Sequence, residues 1–496
     1  MNTKVTIKRL ATGVPGLDQV LGGGLPEFSF NLIVGLPGAG KTTLAHQIMF
    51  ALATPERPAL FFTVLGEPPL KMLRYQQQFS FFDLDKINKS IRYINLSDDV
   101  AKGRLEQVLA RITQEVETFS PALVFVDSFG SVMLESKHRP EGSISLPRFI
   151  QQLGMLLSGW QATTFLVGEY LSEHEPHPVL TVADGLLSLE QSVYRNSMVR
   201  KMQVVKMRGQ ATNPGMHTFR ITNAGIEIYS AAMVHGDTVE EAASAESRPK
   251  GVRLAMGVPR LDEMLGGGLP SGYSLLVAGP SGSGKTILAT AFLSEGVRRG
   301  ESGVIVAFEQ TPSRSWIRTL DRLITTGKIG LINTRSLDLS LDEIVQNLTS
   351  LIQRMKATRV VIDSLSGFEL AVAPTFRQDF RESLYRMVTV LSGLGVTVLL
   401  TSELEDRYTD LRFSPYGSAF LTDAIIVQRY IEVNSSLKRV MAVVKVRASV
   451  HSNEIRQFEI TDDGIVIGDP VLDYEGLLGG RPTRMLEADT VFGGTP

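Results

Sequence analysis

The sequence repeats itself over half its length. Thr12-Gly13-Val14-Pro15-Gly16-Leu17-Asp18 followed by Gly22-Gly23-Gly24-Leu25-Pro26 returns as Met256-Gly257-Val258-Pro259-Arg260-Leu261-Asp262 followed by Gly266-Gly267-Gly268-Leu269-Pro270, so that Gly13 maps onto Gly257 at an offset of 244 residues. The same offset carries Gly35-Leu36-Pro37-Gly38-Ala39-Gly40-Lys41-Thr42 onto Gly279-Pro280-Ser281-Gly282-Ser283-Gly284-Lys285-Thr286. Solenoid repeats run to roughly 20–50 residues, so a period this long is that of a duplicated domain. A chain of 496 residues also exceeds one ordinary hydrophobic core. Two domains of one fold are expected: a first over 1–229, a linker over 230–250 that is rich in Ala, Glu and Ser, a second over 251–468, and a tail over 469–496.

Within each copy, short apolar runs such as 30–34 and 123–126 alternate with amphipathic segments such as 43–51 and 105–118. That rhythm predicts strands joined by crossover helices in a mainly parallel sheet. Each half then closes in a strand-rich stretch with hairpin spacing, 185–229 and 424–467, giving an α/β core with a β-rich C-terminal extension. A net charge of −2 leaves no global basic excess, which argues against a chain devoted to nucleic acid. The chain has no cysteine, so disulfides and thiolate metal sites are excluded. No apolar run reaches the eighteen or so residues of a membrane span. A soluble, cytoplasmic protein is expected.

In both copies the pattern G-x-x-x-x-G-K-[ST] follows an apolar strand and opens a helix. Glycines at these positions let successive backbone N–H groups curl into a nest for phosphate oxygens, with the positive end of a helix dipole behind it. The predicted ATP-binding residues are Gly35, Pro37, Gly38, Ala39, Gly40, Lys41, Thr42 and Thr43 in the first copy. In the second they are Gly279, Ser281, Gly282, Ser283, Gly284, Lys285, Thr286 and Ile287. Lys41 and Lys285 would reach the β and γ phosphates, and Thr42 and Thr286 would face Mg²⁺. A hard cation of this kind also needs a carboxylate nearby. Asp127 and Asp363 each follow an apolar run, at 123–126 and 359–362; a lone Asp there would read as a turn or N-cap residue, but with the upstream loops it reads as the metal-side carboxylate. Activation of an attacking water falls to Glu67 and Glu309, the carboxylates that follow the runs at 61–65 and 304–308. Glu169 and Glu403, after two further apolar runs, stand where a γ-phosphate sensor would lie, and surface residues at a helix start would look the same.

Taken together, these motifs resemble the KaiC family, the double-domain RecA-like ATPases of the cyanobacterial circadian clock and their bacterial and archaeal relatives. The resemblance covers nearly the whole chain. It implies two tandem RecA-like P-loop NTPase domains, a homohexamer of two stacked rings, and ATP held between neighbouring subunits. It extends to Lys206-Met207-Arg208 and Lys445-Val446-Arg447, with His451 beyond. The family places this element at the nucleotide of the next subunit; from the residues alone, such alternating cations read as the solvated face of a strand. The family's phospho-acceptor pair before Thr422-Asp423 is here Ala419-Phe420, which leaves Ser418 and Thr422 as neighbouring hydroxyls and argues against strong serine/threonine autokinase activity. The family's paired glutamates are reduced to Gly66-Glu67 and Glu309-Gln310, consistent with slow hydrolysis. Only residues 485–496 stand where the partner-binding peptide would follow, which argues against a KaiA-like activator, whereas a KaiB-like partner stays open. Two other classes remain at this point: a DNA-dependent RecA- or DnaB-like motor, and a scaffold that binds ATP without hydrolysing it. The loops at 131–147 and 367–376 are too poor in cations to favour the motor.

Overall fold

A computed structural model describes residues 7–64, 69–101, 105–128, 146–169, 182–194, 197–230, 251–308, 314–333, 340–372, 380–404, 421–433, 435–472, 474–479 and 483–484. The chain divides into two compact units, Met1–Met233 and Val234–Pro496. Most of the expected linker, 231–250, lies outside the described residues.

The strands of the first unit are β1 (Phe30–Gly35), β2 (Ala59–Thr63), β3 (Ile91–Asn95), β4 (Leu123–Asp127), β5 (Thr163–Gly168), β6 (Gly185–Tyr194), β7 (Ser197–Met207), β8 (His217–Thr222) and β9 (Gly225–Tyr229). They form one sheet in the order β3-β2-β4-β5-β1-β6-β7-β8-β9. The pairs from β3 through β6 are parallel, and those from β6 to β9 antiparallel. The main helices are α1 (Lys41–Leu52), α2 (Pro69–Gln76), α3 (Leu105–Phe119) and α4 (Leu146–Gly159).

A strand buried on both faces reads as a continuous apolar run, and its alternate side chains feed two separate cores. Ile33, Phe61, Phe125 and Phe165 pack on one face with Leu44, Ile48 and Met49 of α1. Leu32, Phe62, Val124 and Val126 pack on the other with Val108, Ile112 and Val116 of α3 and Phe149, Leu153 and Leu157 of α4. With Leu105, those α3 positions recur at three- and four-residue spacing, which makes that segment a helix with one buried stripe.

The second unit repeats the design with β10 (Ser274–Gly279), β11 (Gly303–Ala307), β12 (Ile329–Asn333), β13 (Arg359–Asp363), β14 (Thr397–Glu403), β15 (Ala424–Val433), β16 (Ser436–Val446), β17 (Arg456–Thr461) and β18 (Gly464–Pro470). Their order is β12-β11-β13-β14-β10-β15-β16-β17-β18, the same as in the first unit strand for strand. Its main helices are α5 (Lys285–Arg298), α6 (Arg314–Thr325), α7 (Leu341–Met355) and α8 (Phe380–Gly393). Even the irregularities match. Between β6 and β7 the register shifts at Leu186/Leu187, and between β15 and β16 at Ile425/Ile426. Among the described residues, no helix is long and apolar enough to cross a membrane.

Candidate functional site

The lead-in before each loop is scaffolding. Asp18 accepts hydrogen bonds from the N–H (2.8 Å) and hydroxyl (2.7 Å) of Thr12, and Asp262 accepts from the N–H of Met256 at 2.6 Å. The three glycines that follow all have left-handed backbones, φ 74°, 118° and 110° at 22–24 and 72°, 100° and 109° at 266–268. The turns are tied down by an arginine that the sequence reading passed over. Arg253 donates to the carbonyls of Leu265 (2.8 Å) and Gly268 (2.7 Å), and Arg9 donates to the carbonyl of Gly22.

Each phosphate loop leaves the C-terminal end of the central strand and turns into a helix. Gly40 and Gly284, at φ 99° and 98°, are the residues that enter α1 and α5. A Cβ on either would stand 2.9 Å from the Cδ1 of Ile221 or Ile460, so both backbone angle and space require glycine. The helices begin with Lys41 and Lys285, which leaves their first N–H groups directed at the loop. The Lys41 ammonium donates to the carbonyls of Gly35 (2.8 Å) and Leu36 (2.9 Å); Lys285 does the same to Gly279 and Pro280 at 2.8 Å. Burial lowers the pKa of Lys41, against the opposing charges of Glu169 and Asp127. Glu169 thus lies within electrostatic reach of the loop, exposed just beyond β5, and Glu403 ends β14 in the matching place.

Of the residues assigned to the metal side, Thr42 and Asp127 meet. The Thr42 hydroxyl donates to Asp127 Oδ2 at 2.7 Å, joining the first turn of α1 to the end of β4. Asp127 is buried, and burial raises its pKa against the Thr42 hydrogen bond and the Lys41 charge. In the second unit Asp363 ends β13 and accepts a hydrogen bond from the Thr401 hydroxyl at 2.5 Å, while Thr286 occupies the first turn of α5. Both aspartates precede a cis peptide, to Ser128 and to Ser364. A hydroxyl and a carboxylate oxygen beside a phosphate nest are the hard oxygen donors that Mg²⁺ takes, and the Thr42–Asp127 contact brings two such donors together at 2.7 Å.

Glu67 and Glu309 lie outside the described residues, as does Ser418. The strands leading to the two glutamates end next to the aspartates, with Thr63 paired to Asp127 and Ala307 to Asp363. Thr422 is fully buried, so its hydroxyl cannot accept a phosphoryl group without leaving the core.

The Lys-x-Arg elements sit elsewhere. Lys206 donates to the carbonyl of Ala183, and Lys445 to that of Thr422 at 2.6 Å. Arg208 pairs with Asp184 at 3.2 Å and Arg447 with Asp423 at 3.5 Å. The same aspartates accept the N–H of Phe30 and of Ser274, both at 3.0 Å, which fixes them at the start of the central strand. His451 lies half-buried beyond, its Nδ1 3.4 Å from the carbonyl of Ser449. Burial lowers the pKa of both lysines, helped by the adjacent arginine and opposed by the aspartate. The register shifts noted above leave Val205 and Val444 as extra residues, and bulges of this kind re-aim the neighbouring side chain.

Two arginines missed by sequence reasoning occupy the loop end of the sheet instead. Arg439 pairs across the ladder with Tyr430 and lies 5.4 Å from its ring; the Tyr430 hydroxyl is 3.2 Å from where a Cβ of Gly282 would stand. Arg200 pairs with Gln191, whose amide reaches the carbonyl of Pro37 at 3.5 Å. The signal was a matching position in the two repeats.

Two copies of a parallel sheet that ends in a phosphate loop, with a hydroxyl–carboxylate pair at the strand ends and a four-stranded antiparallel extension, define a tandem P-loop ATPase of the RecA type. A family model described as "ATPase: KaiC" matches residues 10–233 and again 254–471. The chain belongs to the KaiC ATPase family. Among its relatives is the circadian clock oscillator protein KaiC of Rippkaea orientalis, 27% identical over 98% of this chain and 93% of that protein. The protein of the same name from Picosynechococcus is 26% identical over 97% of this chain and 93% of its own length, and KaiC 1 of Synechocystis is 26% identical over 97% and 92%.

Proposed function

We propose that the chain is an ATP hydrolase that works as a double-ring homohexamer, with each ATP gripped by one subunit's loop and completed by the Lys-x-Arg element of the next. The first and second domains, 1–229 and 251–468, would each form one ring. The observation that carries this reading is the polarity of the sheet. Gly35, where the loop begins, is level with Leu189 on β6, whereas Lys206 donates to the carbonyl of Ala183, six residues back along the same stretch. At about 3.3 Å per residue that is roughly 20 Å, far beyond the reach of a lysine side chain. The cations of each unit therefore cannot serve that unit's own loop. A head-to-tail contact between copies brings one end of the sheet to the other, and such contacts close into rings.

In this reading Lys41 and Lys285 turn from the loop carbonyls to the β and γ phosphates, and the N–H groups at the start of α1 and α5 hold phosphate oxygens. Thr42 with Asp127, and Thr286 with Asp363, would hold Mg²⁺; when bound, the ion supplies charge neutralisation at the β and γ oxygens. Glu67 and Glu309 are assigned the orientation of the attacking water. Lys206, Arg208, Lys445 and Arg447 stabilise charge on the transferred group of the adjoining subunit, with His451 beside them. Signalling through such a cycle, in the manner the relatives' names suggest, is the role proposed for the chain.

Phosphate release and assembly state measured for Lys41→Ala, Lys285→Ala and the double variant test the proposal. Each single variant should keep part of the hydrolysis and the double variant none. Undiminished phosphate release in the double variant would overturn it, and absence of release in the native chain with intact assembly would leave a scaffold.

A further inference from the structure

The two metal sides are built differently, at one register position. In the second unit Thr401 lies on β14, and its hydroxyl donates to Asp363 Oδ1 at 2.5 Å from a fully buried side chain. Thr401 also pairs with Val277 of the central strand, one position beyond the Ile362–Leu400 pair that joins β13 to β14. In the first unit the residue paired with both Asp127 and Ile33 is Val167. Ile33 and Val277 are themselves equivalent by the 244-residue offset, so Val167 and Thr401 stand at the same point of the fold. Threonine and valine have nearly the same shape. They differ there by one hydroxyl, aimed at the carboxylate.

We infer that Thr401 is a positioning residue for Asp363: it fixes the carboxylate in one rotamer, so that the second unit captures Mg²⁺ at lower concentrations than it otherwise would, by means of a strand hydroxyl the first unit lacks. This rests on the reading of Asp363 as the metal-side carboxylate. A hydroxyl held in the core that donates to one carboxylate oxygen restricts the rotation of that carboxylate. Partners of this kind set the orientation and basicity of the group that faces a metal, and their removal commonly lowers metal affinity by about 10–100-fold. Thr401 touches neither nucleotide nor the reacting atoms in this scheme; it acts through Asp363.

The test uses the full chain with Lys41→Ala, which confines nucleotide binding to the second unit, and reads binding of a fluorescent ATP analogue while Mg²⁺ is titrated. Thr401→Val should raise the half-saturating Mg²⁺ concentration by at least tenfold, leave binding in excess EDTA unchanged, and be rescued to within about threefold by Thr401→Ser. A Thr401→Val shift below about threefold, with Asp363→Asn abolishing the Mg²⁺ dependence, overturns the role of Thr401 and spares the metal-side assignment. An Asp363→Asn variant that keeps the full Mg²⁺ dependence overturns both. Equal weakening in EDTA and in Mg²⁺ shows a packing role and also overturns the inference. Should Thr401→Val prove unstable, Val167→Thr in the Lys285→Ala chain carries the test: it should lower the half-saturating Mg²⁺ of the first unit at least threefold, and no change overturns the inference.

Discussion

His46 makes the first unit sensitive to acid. It lies on α1 one turn after Thr42, is fully buried, and has its Nδ1 2.8 Å from the Thr42 carbonyl. Its ring packs 4.4 Å from that of Phe61 and 6.1 Å from that of Tyr93. Burial pushes its pKa down from 6.5 to about 4, opposed by the Thr42 carbonyl. The folded chain thus prefers the neutral ring more strongly than the unfolded chain does. Stability from this source is complete above the unfolded value and is lost as pH falls from 6.5 through 4. At 1.36 kcal/mol per unit of difference, the full loss is about 3 kcal/mol, of which roughly 2 kcal/mol is gone by about pH 5. His46→Gln keeps an amide for the Thr42 carbonyl and removes the titration. With Trp316→Phe in both chains, fluorescence of Trp160 reports unfolding of the first unit in denaturant. Between about pH 7.5 and 5, the histidine chain should lose roughly 2 kcal/mol more than the glutamine chain. Equal losses in the two chains would refute the assignment of the acid sensitivity to His46.

Two further outcomes are expected. Arg359 is 1% exposed and donates to both Glu301 oxygens (2.7 and 3.2 Å) and to the carbonyls of Ala255 and Phe292 (2.7 and 2.9 Å). Glu301→Gln strands that buried charge and should cost the second unit about 3 kcal/mol in denaturant unfolding, much of it recovered when Arg359→Met is added. For the shared site, a chain with Lys206→Ala and Arg208→Ala and a chain with Lys41→Ala, each also carrying Lys285→Ala, should be inactive alone. Mixed, they should regain phosphate release at about a quarter of the interfaces, by random placement of the two chains around a closed ring; a mixture as inactive as its parts would show that the cations act within their own chain.

What the sequence made legible was what is local. The phosphate loops are contiguous, and the glycines at 40 and 284 announce a backbone that only they adopt. The helix over 105–119 shows its buried stripe in its own spacing, and the buried strands in their apolar runs. What escaped depends on register between distant segments. The hydroxyl of Thr401 looks like any other in a strand until β14 is laid beside β13, and Arg9 and Arg253 look like surface cations until the glycine turns fold over them. The direction of the Lys-x-Arg strands was equally hidden. Alternating cations give the face of a strand, whereas the end of the sheet at which they stand follows from the antiparallel return of β7 and β16.

That return is common to both units, yet duplication has not made two equal sites. The two backbones agree in strand order and in their register shifts, and within that shared frame side chains at matched positions have diverged. Leu123 became the counterpart of Arg359, Val167 of Thr401, and His46 of Thr290, whose hydroxyl donates to the Thr286 carbonyl at 2.9 Å just as His46 meets that of Thr42. Each exchange replaces one interior chemistry by another without moving the loop it supports. The first unit carries a proton-sensitive ring behind its phosphate nest, and the second an uncharged hydroxyl that does not titrate in that range. Denaturant unfolding followed from about pH 7.5 to 5 should therefore show an acid-linked loss through His46 in the first unit and none through Thr290 in the second.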